Sequence, residues 1–211
     1  MYGRATLSAV SPSYDDPIPD PIARFALLLD AARRVGVDRL PEPTAFALAT
    51  ADGGGRPSVR MVLLKDASDA GFVFYTNFGS RKGRDLLARP AAAMCFHWQP
   101  LDRQVRVDGS IERVTDEEAD AYFATRPRGS QLGAWASRQS EPMADPRELD
   151  RRLAEFEARF AGGPVPRPPY WSGFRLVPER VEFWISQPSR LHTRHLYSRD
   201  GARWRIETLY P

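Results

Sequence analysis

TAFALATA (44–51), SVRMVLLK (58–65), GFVFYT (71–76), AAAMCFHW (91–98) and QVRVDGSIERV (104–114) are short runs rich in apolar, β-branched and aromatic residues. Glycine- and aspartate-containing turns separate the first three. Five strand-like runs at this spacing predict an antiparallel sheet or barrel. Downstream, from Trp171, FRLVP and VEFWIS add two more runs, and a further pair flanks Asp200-Gly201, a strong hairpin signal.

Helical signals surround the strands. Ile22, Phe25, Leu28, Leu29 and Ala32 have helical spacing from Pro21 to about Gly36. Ser80 is placed to cap a short helix running to Ala88, and Thr115 with Glu118 has the spacing of a capping box ahead of a run to Thr125. Leu149, Leu153, Phe156 and Phe160 form one stripe of a charged helix over 146–160, followed by the rigid linker GGPVPRPP (162–169). The expected class is therefore α+β: a mainly antiparallel barrel with peripheral helices. Residues 1–20, rich in proline, serine and aspartate, read as a loose arm, and 21–211 as one domain.

A chain of 211 residues, 42% hydrophobic and 27% charged, can bury a substantial core. It has no apolar run of the ~20 residues that a membrane-spanning helix needs, and no apolar leader at its start. Cys95 is the only cysteine, so no internal disulfide can form. A soluble cytoplasmic protein is the expectation. A net charge of +3 does not by itself argue for nucleic acid. Of the 30 Lys and Arg residues, only Lys65 and Lys82 are lysines, and each falls in a segment that could carry chemistry.

Four constellations stand out. In Arg60-Met61-Val62-Leu63-Leu64-Lys65, strand alternation puts Arg60 and Lys65 on opposite faces, with Met61 and Leu63 on the Lys65 side. Read alone, these six residues favour a core strand with charged ends. In Tyr75-Thr76-Asn77-Phe78-Gly79-Ser80-Arg81-Lys82, a strand leads into a helix whose first turn carries two cations. Exposed N–H groups make that end partly positive, so cations there suit a bound phosphate, although a solvated helix start remains the plain alternative.

Tyr122 and Arg126 lie four apart at a helix end, with Ser130 beyond a proline-fixed turn; together they could meet a second phosphate. Taken without the other segments, the reading favoured is an arginine satisfying carbonyls of its own helix. Last, Arg190, His192 and Arg194 alternate with Leu191 and Thr193, so a strand would present all three on one face, near Trp184. No metal-type spacing joins the three histidines. No Gly-x-Gly-x-x-Gly, Walker or Gly-x-Ser-x-Gly motif occurs.

RMVLLK, FYTNFGSRK, LDRQVRV, YFATRPRGSQLGAW, SRQS, VEFW and RLHTR, taken in order, resemble the pyridoxine/pyridoxamine 5′-phosphate oxidase family from about Pro21 to Pro211. The resemblance implies a split β-barrel homodimer with FMN at its interface. It implies that Arg60, Arg81, Lys82, Tyr75 and Thr76 hold the FMN phosphate and ribityl chain, with the 61–65 segment alongside. It further implies that Gln104, Gln139, Ser140, Trp184 and Arg194 line the flavin, some from the second subunit. Lys65, Tyr122, Arg126 and Ser130 would bind the substrate phosphate, and Arg190, Leu191 and His192 would meet the pyridine ring, with Arg190 and His192 at the reacting carbon.

The implied reaction is hydride transfer from C4′ of pyridoxamine or pyridoxine 5′-phosphate to the flavin, with oxygen as final acceptor. The sequence departs from the family in lacking a longer arm with an Arg-x-x-Tyr pair, in Glu42 where aspartate is usual, and in Thr193 within Arg-Leu-His-Thr-Arg. Three rival readings are a phenazine-biosynthesis oxidase on the same fold, a non-catalytic flavin- or haem-binding barrel, and a nucleic-acid-binding barrel.

Overall fold

The structure is a computed structural model that describes residues 17–211. The arm read over 1–20 lies outside the described residues up to residue 16. Its last residues are tied down: the Tyr197 hydroxyl donates to the Ile18 carbonyl at 2.9 Å, and Asp20 caps helix α1 (Pro21–Arg34) through the Ile22 N–H. The chain continues through β1 (Ala45–Ala51), β2 (Pro57–Leu63), β3 (Asp66–Ser68), β4 (Gly71–Asn77) and α2 (Arg81–Ala88). Next come β5 (Ala91–Trp98), β6 (Arg103–Arg113), α3 (Asp116–Thr125), α4 (Arg128–Ala136) and α5 (Glu148–Arg159). A long β7 (Trp171–Ile185) and the hairpin β8 (Thr193–Asp200) and β9 (Arg203–Leu209) complete it.

The nine strands of the described residues form one antiparallel sheet, in the order β2-β1-β5-β6-β7-β4-β3, with β8 paired to the far part of β7 and β9 to β8. Period-two alternation fixes its inner face. Phe46 and Leu48 of β1, Met94, Phe96 and Trp98 of β5, and Val105 and Val107 of β6 point inward and are buried. The sheet curls around them, and α1 closes the core by inserting Phe25 against Phe72 and Phe96, with both ring centroids at 4.9 Å. A second, smaller core gathers Phe123, Leu132, Phe156 and Trp171 beneath α3, α4 and α5.

FRLVP and VEFWIS, read as two runs, are one strand. Across β7, Trp171–Leu176 pair with β4 and Arg180–Ile185 pair with β8 along the same edge, while β6 runs beside Phe174–Ile185 on the other. Pro178 stands where that edge changes partners, so its missing N–H interrupts no ladder there. On the other side, the register shifts at Asp108/Gly109, where Gly109 faces Pro178 and Glu179 is the extra residue of a bulge. A side chain at Gly109 would collide with the Val177 carbonyl.

Several other elements differ from expectation. The run at 58–65 stops as a strand at Leu63. Helix α4 is unheralded in the sequence because Gly129 and Gly133 weaken its signal. The 190–194 alternation is not a strand throughout: Pro188–Arg190 form a tight turn, Ser189 and Arg190 adopt φ of 58° and 62°, and β8 begins only at Thr193. The caps at Ser80 and Thr115/Glu118 form as read, as does the hairpin at Gly201. On α5, Phe156 is buried, whereas Leu149 and Leu153 remain exposed.

Candidate active site

A cavity of about 710 Å³ opens where the end of β2, the β4–α2 turn and the α3–α4 corner meet. Its walls include Met61, Val62, Leu63, Lys65, Tyr75, Thr76, Lys82, Tyr122, Arg126, Ser130 and Gln139. Asn77, Thr125, Ser137 and Trp171 also line it, and the sequence alone does not single them out. Both lysines of the chain face this one space. Among the described residues, three cations therefore line the cavity, and no aspartate or glutamate does.

At one end Ser80 caps α2 by accepting from the Gly83 N–H, which swings Lys82 back over the turn. Its Nζ donates to Thr76 Oγ1 at 3.2 Å, Gln139 Oε1 at 3.3 Å and Ser80 Oγ at 3.4 Å. Burial pulls the Lys82 pKa below the usual lysine value, and the charge of nearby Arg60 adds to that. A partly desolvated ammonium with only neutral oxygens around it fits an anionic ligand oxygen.

Arg60 stands behind this end, outside the cavity lining. Its guanidinium donates to the Leu48 carbonyl, Thr50 Oγ1 and Ser58 Oγ at 3.0, 2.8 and 2.6 Å, with the Asp85 carboxylate 3.9 Å away. Arg81 is exposed and lines no wall, and the Leu64 side chain is buried in the barrel core.

At the other end Tyr122 from α3 stacks on Tyr75 at 4.0 Å between centroids. Arg126, the residue that ends α3, places its guanidinium 4.6 Å from the Trp171 ring centre. Its Nη1 is buried and has no hydrogen-bond partner among the described residues, and burial lowers its pKa. An unmet cationic donor in a cavity wall is costly unless a ligand oxygen completes it. Ser130, in the first turn of α4, faces the same end.

Apart from Ser140, the remaining sequence-derived candidates gather elsewhere, on or beside the outer face of the sheet. Gln104, Trp184 and Arg194 stand in one cross-strand row over β6, β7 and β8. The His192 ring packs on Trp184 at 4.4 Å, and its Nδ1 accepts from the Gln187 N–H. Arg194 makes a bidentate pair with the buried Glu182 at 2.8 and 3.1 Å, which raises its pKa. Arg190 and Leu191 are exposed beside this row. Ser140, at φ 74°, lies in the α4–α5 connection, one residue beyond Gln139. None of these six outer residues (Gln104, Trp184, Arg190, Leu191, His192, Arg194) lines the 710 Å³ cavity.

Comparison with known proteins gives this geometry its context. A family model described as "Pyridoxamine 5′-phosphate oxidase" matches residues 36–160, and one described as "Pyridoxine 5′-phosphate oxidase C-terminal dimerisation region" matches 171–211. A pyridoxine/pyridoxamine 5′-phosphate oxidase of Myxococcus xanthus is 60% identical over 194 residues, 92% of each chain. One from Rubrobacter xylanophilus is 57% identical over 210 residues, covering 100% of this chain and 93% of its own. Among solved structures, PhzG from Burkholderia lata, in complex with tetrahydrophenazine-1-carboxylic acid, aligns with a TM-score of 0.87 at 35% identity, over 98% of this chain and 100% of its own. An FMN-binding protein from Nostoc punctiforme shares the fold at a TM-score of 0.71 and 17% identity, over 92% of this chain and 100% of its own.

Proposed function

The chain belongs to the pyridoxine/pyridoxamine 5′-phosphate oxidase family, and from this we infer that it is an FMN-dependent oxidase producing pyridoxal 5′-phosphate from pyridoxamine or pyridoxine 5′-phosphate. One observation carries the assignment of the site: a cavity lined, among the described residues, by Lys65, Lys82 and Arg126 and by no carboxylate suits two phosphate-bearing molecules.

FMN, when bound, supplies the two-electron acceptor. Lys82, Thr76 and Gln139 would hold its phosphate end, with Arg60 contributing charge from behind and Tyr75 flanking. Lys65, Tyr122, Arg126 and Ser130 would hold the substrate phosphate. The protein's contribution is then to anchor a dianion, keep water off the ring and fix the reacting carbon, a matter of proximity and preorganised charge.

Gln104, Trp184, Arg190, His192 and Arg194 would complete the site from the second subunit of a homodimer. The separation of these residues from the cavity within one chain supports that arrangement, as does the dimerisation region matched over 171–211. In it Arg190 orients the group at C4′. Oxygen is the proposed final acceptor. The phenazine-type alternative is weaker, since relatives 60% and 57% identical bear the vitamer-phosphate name against 35% for PhzG. Residues 21–211 would act as one unit, in the cytoplasm.

An absorbance spectrum followed by anaerobic titration tests this reading. The purified protein should be yellow and should bleach on adding pyridoxine 5′-phosphate. A yellow protein that stays oxidised under those conditions would overturn the reading as an oxidase of vitamer phosphates.

A further inference from the structure

Arg60, Arg167, Arg175 and Arg194 each lie within 4 Å of a carboxylate. Arg126 faces none among the described residues and is held by rings instead. Trp171, 7% exposed, offers the face on which its guanidinium rests, and Phe123 meets Trp171 edge-on at 5.1 Å. The rings of Tyr75 and Tyr122 lie within 14° of parallel to Trp171 and to each other.

This stack depends on a missing side chain. Gly173 pairs with Tyr75 across β4 and β7, and a Cβ at Gly173 would fall 2.8 Å from Tyr75 Cε1 and 2.9 Å from Val114 Cγ2. The tyrosine ring would have to move, and the stack with it.

We propose that Trp171 is a positioning residue for the substrate phosphate: its indole face aims Arg126 at the cavity, and Gly173 keeps the aromatic platform flat. The inference rests on the assignment of Arg126 to that phosphate. The physical advantage lies in how the cation is fixed. A carboxylate at this place would orient the guanidinium but also neutralise it and compete with the incoming dianion. An aromatic face orients it while leaving its charge and its buried Nη1 donor for the ligand.

Equilibrium dialysis of the FMN-loaded protein against pyridoxal 5′-phosphate and against unphosphorylated pyridoxal provides the test. Trp171→Leu should weaken pyridoxal 5′-phosphate by about tenfold and leave pyridoxal unchanged, with stoichiometric FMN retained. Trp171→Phe, which keeps an aromatic face, should recover most of the loss. Trp171→Leu combined with Arg126→Ala should bind no more weakly than Arg126→Ala alone, since the two act through one contact. Gly173→Ala removes no buried volume and should weaken pyridoxal 5′-phosphate several-fold; it decides the matter if Trp171→Leu does not fold.

Equal losses for both ligands, independent losses in the double variant, or parental affinity in Gly173→Ala and Trp171→Phe together with Trp171→Leu would overturn the proposal. The dialysis does not depend on oxidation. A failure of the oxidase reading would appear as absent bleaching of the parent, while the dialysis still decides for or against Trp171.

Discussion

Lys82 and Thr76 meet across the turn between β4 and α2, Nζ to Oγ1, at 3.2 Å. The contact joins an ammonium without a carboxylate to a hydroxyl that also donates to Gln139 Oε1, so the pair forms a donor cluster rather than an ion pair. Lys82→Ala should therefore weaken FMN far more than riboflavin, which lacks the phosphate. Loss of one charge-assisted partner costs ~1.5–3 kcal/mol, about one to two decades in affinity. Flavin fluorescence titration checks this, and equal losses for the two flavins would place the phosphate elsewhere.

The separation of the cavity from the outer row predicts complementation between subunits. Lys82→Ala and Arg194→Ala homodimers should each be nearly inactive. Refolding them together in equal amounts should restore about a quarter of parental activity, because half the dimers are mixed and each mixed dimer has one intact site. No recovery in a verified mixed dimer would mean that both clusters serve the same site from one chain.

Arg126 and Arg190 should differ in kinetic signature. A phosphate contact exists before and during reaction, whereas alignment at C4′ matters most at the transition state. Arg126→Ala should raise KM with FMN content unchanged, and Arg190→Ala should lower kcat by more than it raises KM. Anaerobic single-turnover bleaching isolates the chemical step. Parental behaviour in both variants would remove them from the site.

Glu118 gives a pH-dependent handle on stability. It accepts from the Thr115 N–H, closing the capping box, and pairs with Arg175. The Thr115 N–H is the larger cause of its lowered pKa, and Arg175 adds to it. A carboxylate with a depressed folded pKa stabilises the fold in full above its unfolded value, and the contribution drains away as pH falls through the folded value. Glu118→Gln should thus lower stability at pH 7 by about 0.5–1 kcal/mol, small because the group is largely solvent-screened. Thermal melts should converge with the parent at acidic pH; a gap that persists there would assign the loss to packing.

What the sequence made legible was local. Ser80, Thr115 and Glu118 announce their helices through hydrogen bonds spanning three residues, and period-two burial marks β1 and β5 from within. Two of the three cavity cations were legible through their rarity, as the two lysines among thirty basic residues. Non-local relationships were not. Nothing near Pro178 reveals that the strand continues through a partner exchange, because Gly109, about seventy positions earlier, supplies the space. Trp171 does not stand out in the sequence because its importance lies in rings that α3 and β4 bring to it. Arg190 misleads because alternation in sequence is identical for a strand and for a turn with two left-handed residues.

The sharing of β7 between β4 and β8 also governs the order of events during synthesis. Until Trp171–Leu176 leave the ribosome, β4 has only the three-residue β3 beside it, and the edge it will give to β7 is bare. About a hundred residues separate the two strands, so at ~5–20 residues per second that edge waits roughly 5–20 s for its partner. The nascent chain passes through this interval holding Phe72 and Phe74 without their final neighbours Leu176 and Phe174. Slow translation up to residue 171 therefore lengthens the time for which this bare edge is open to wrong pairing, whatever the stability of the finished barrel.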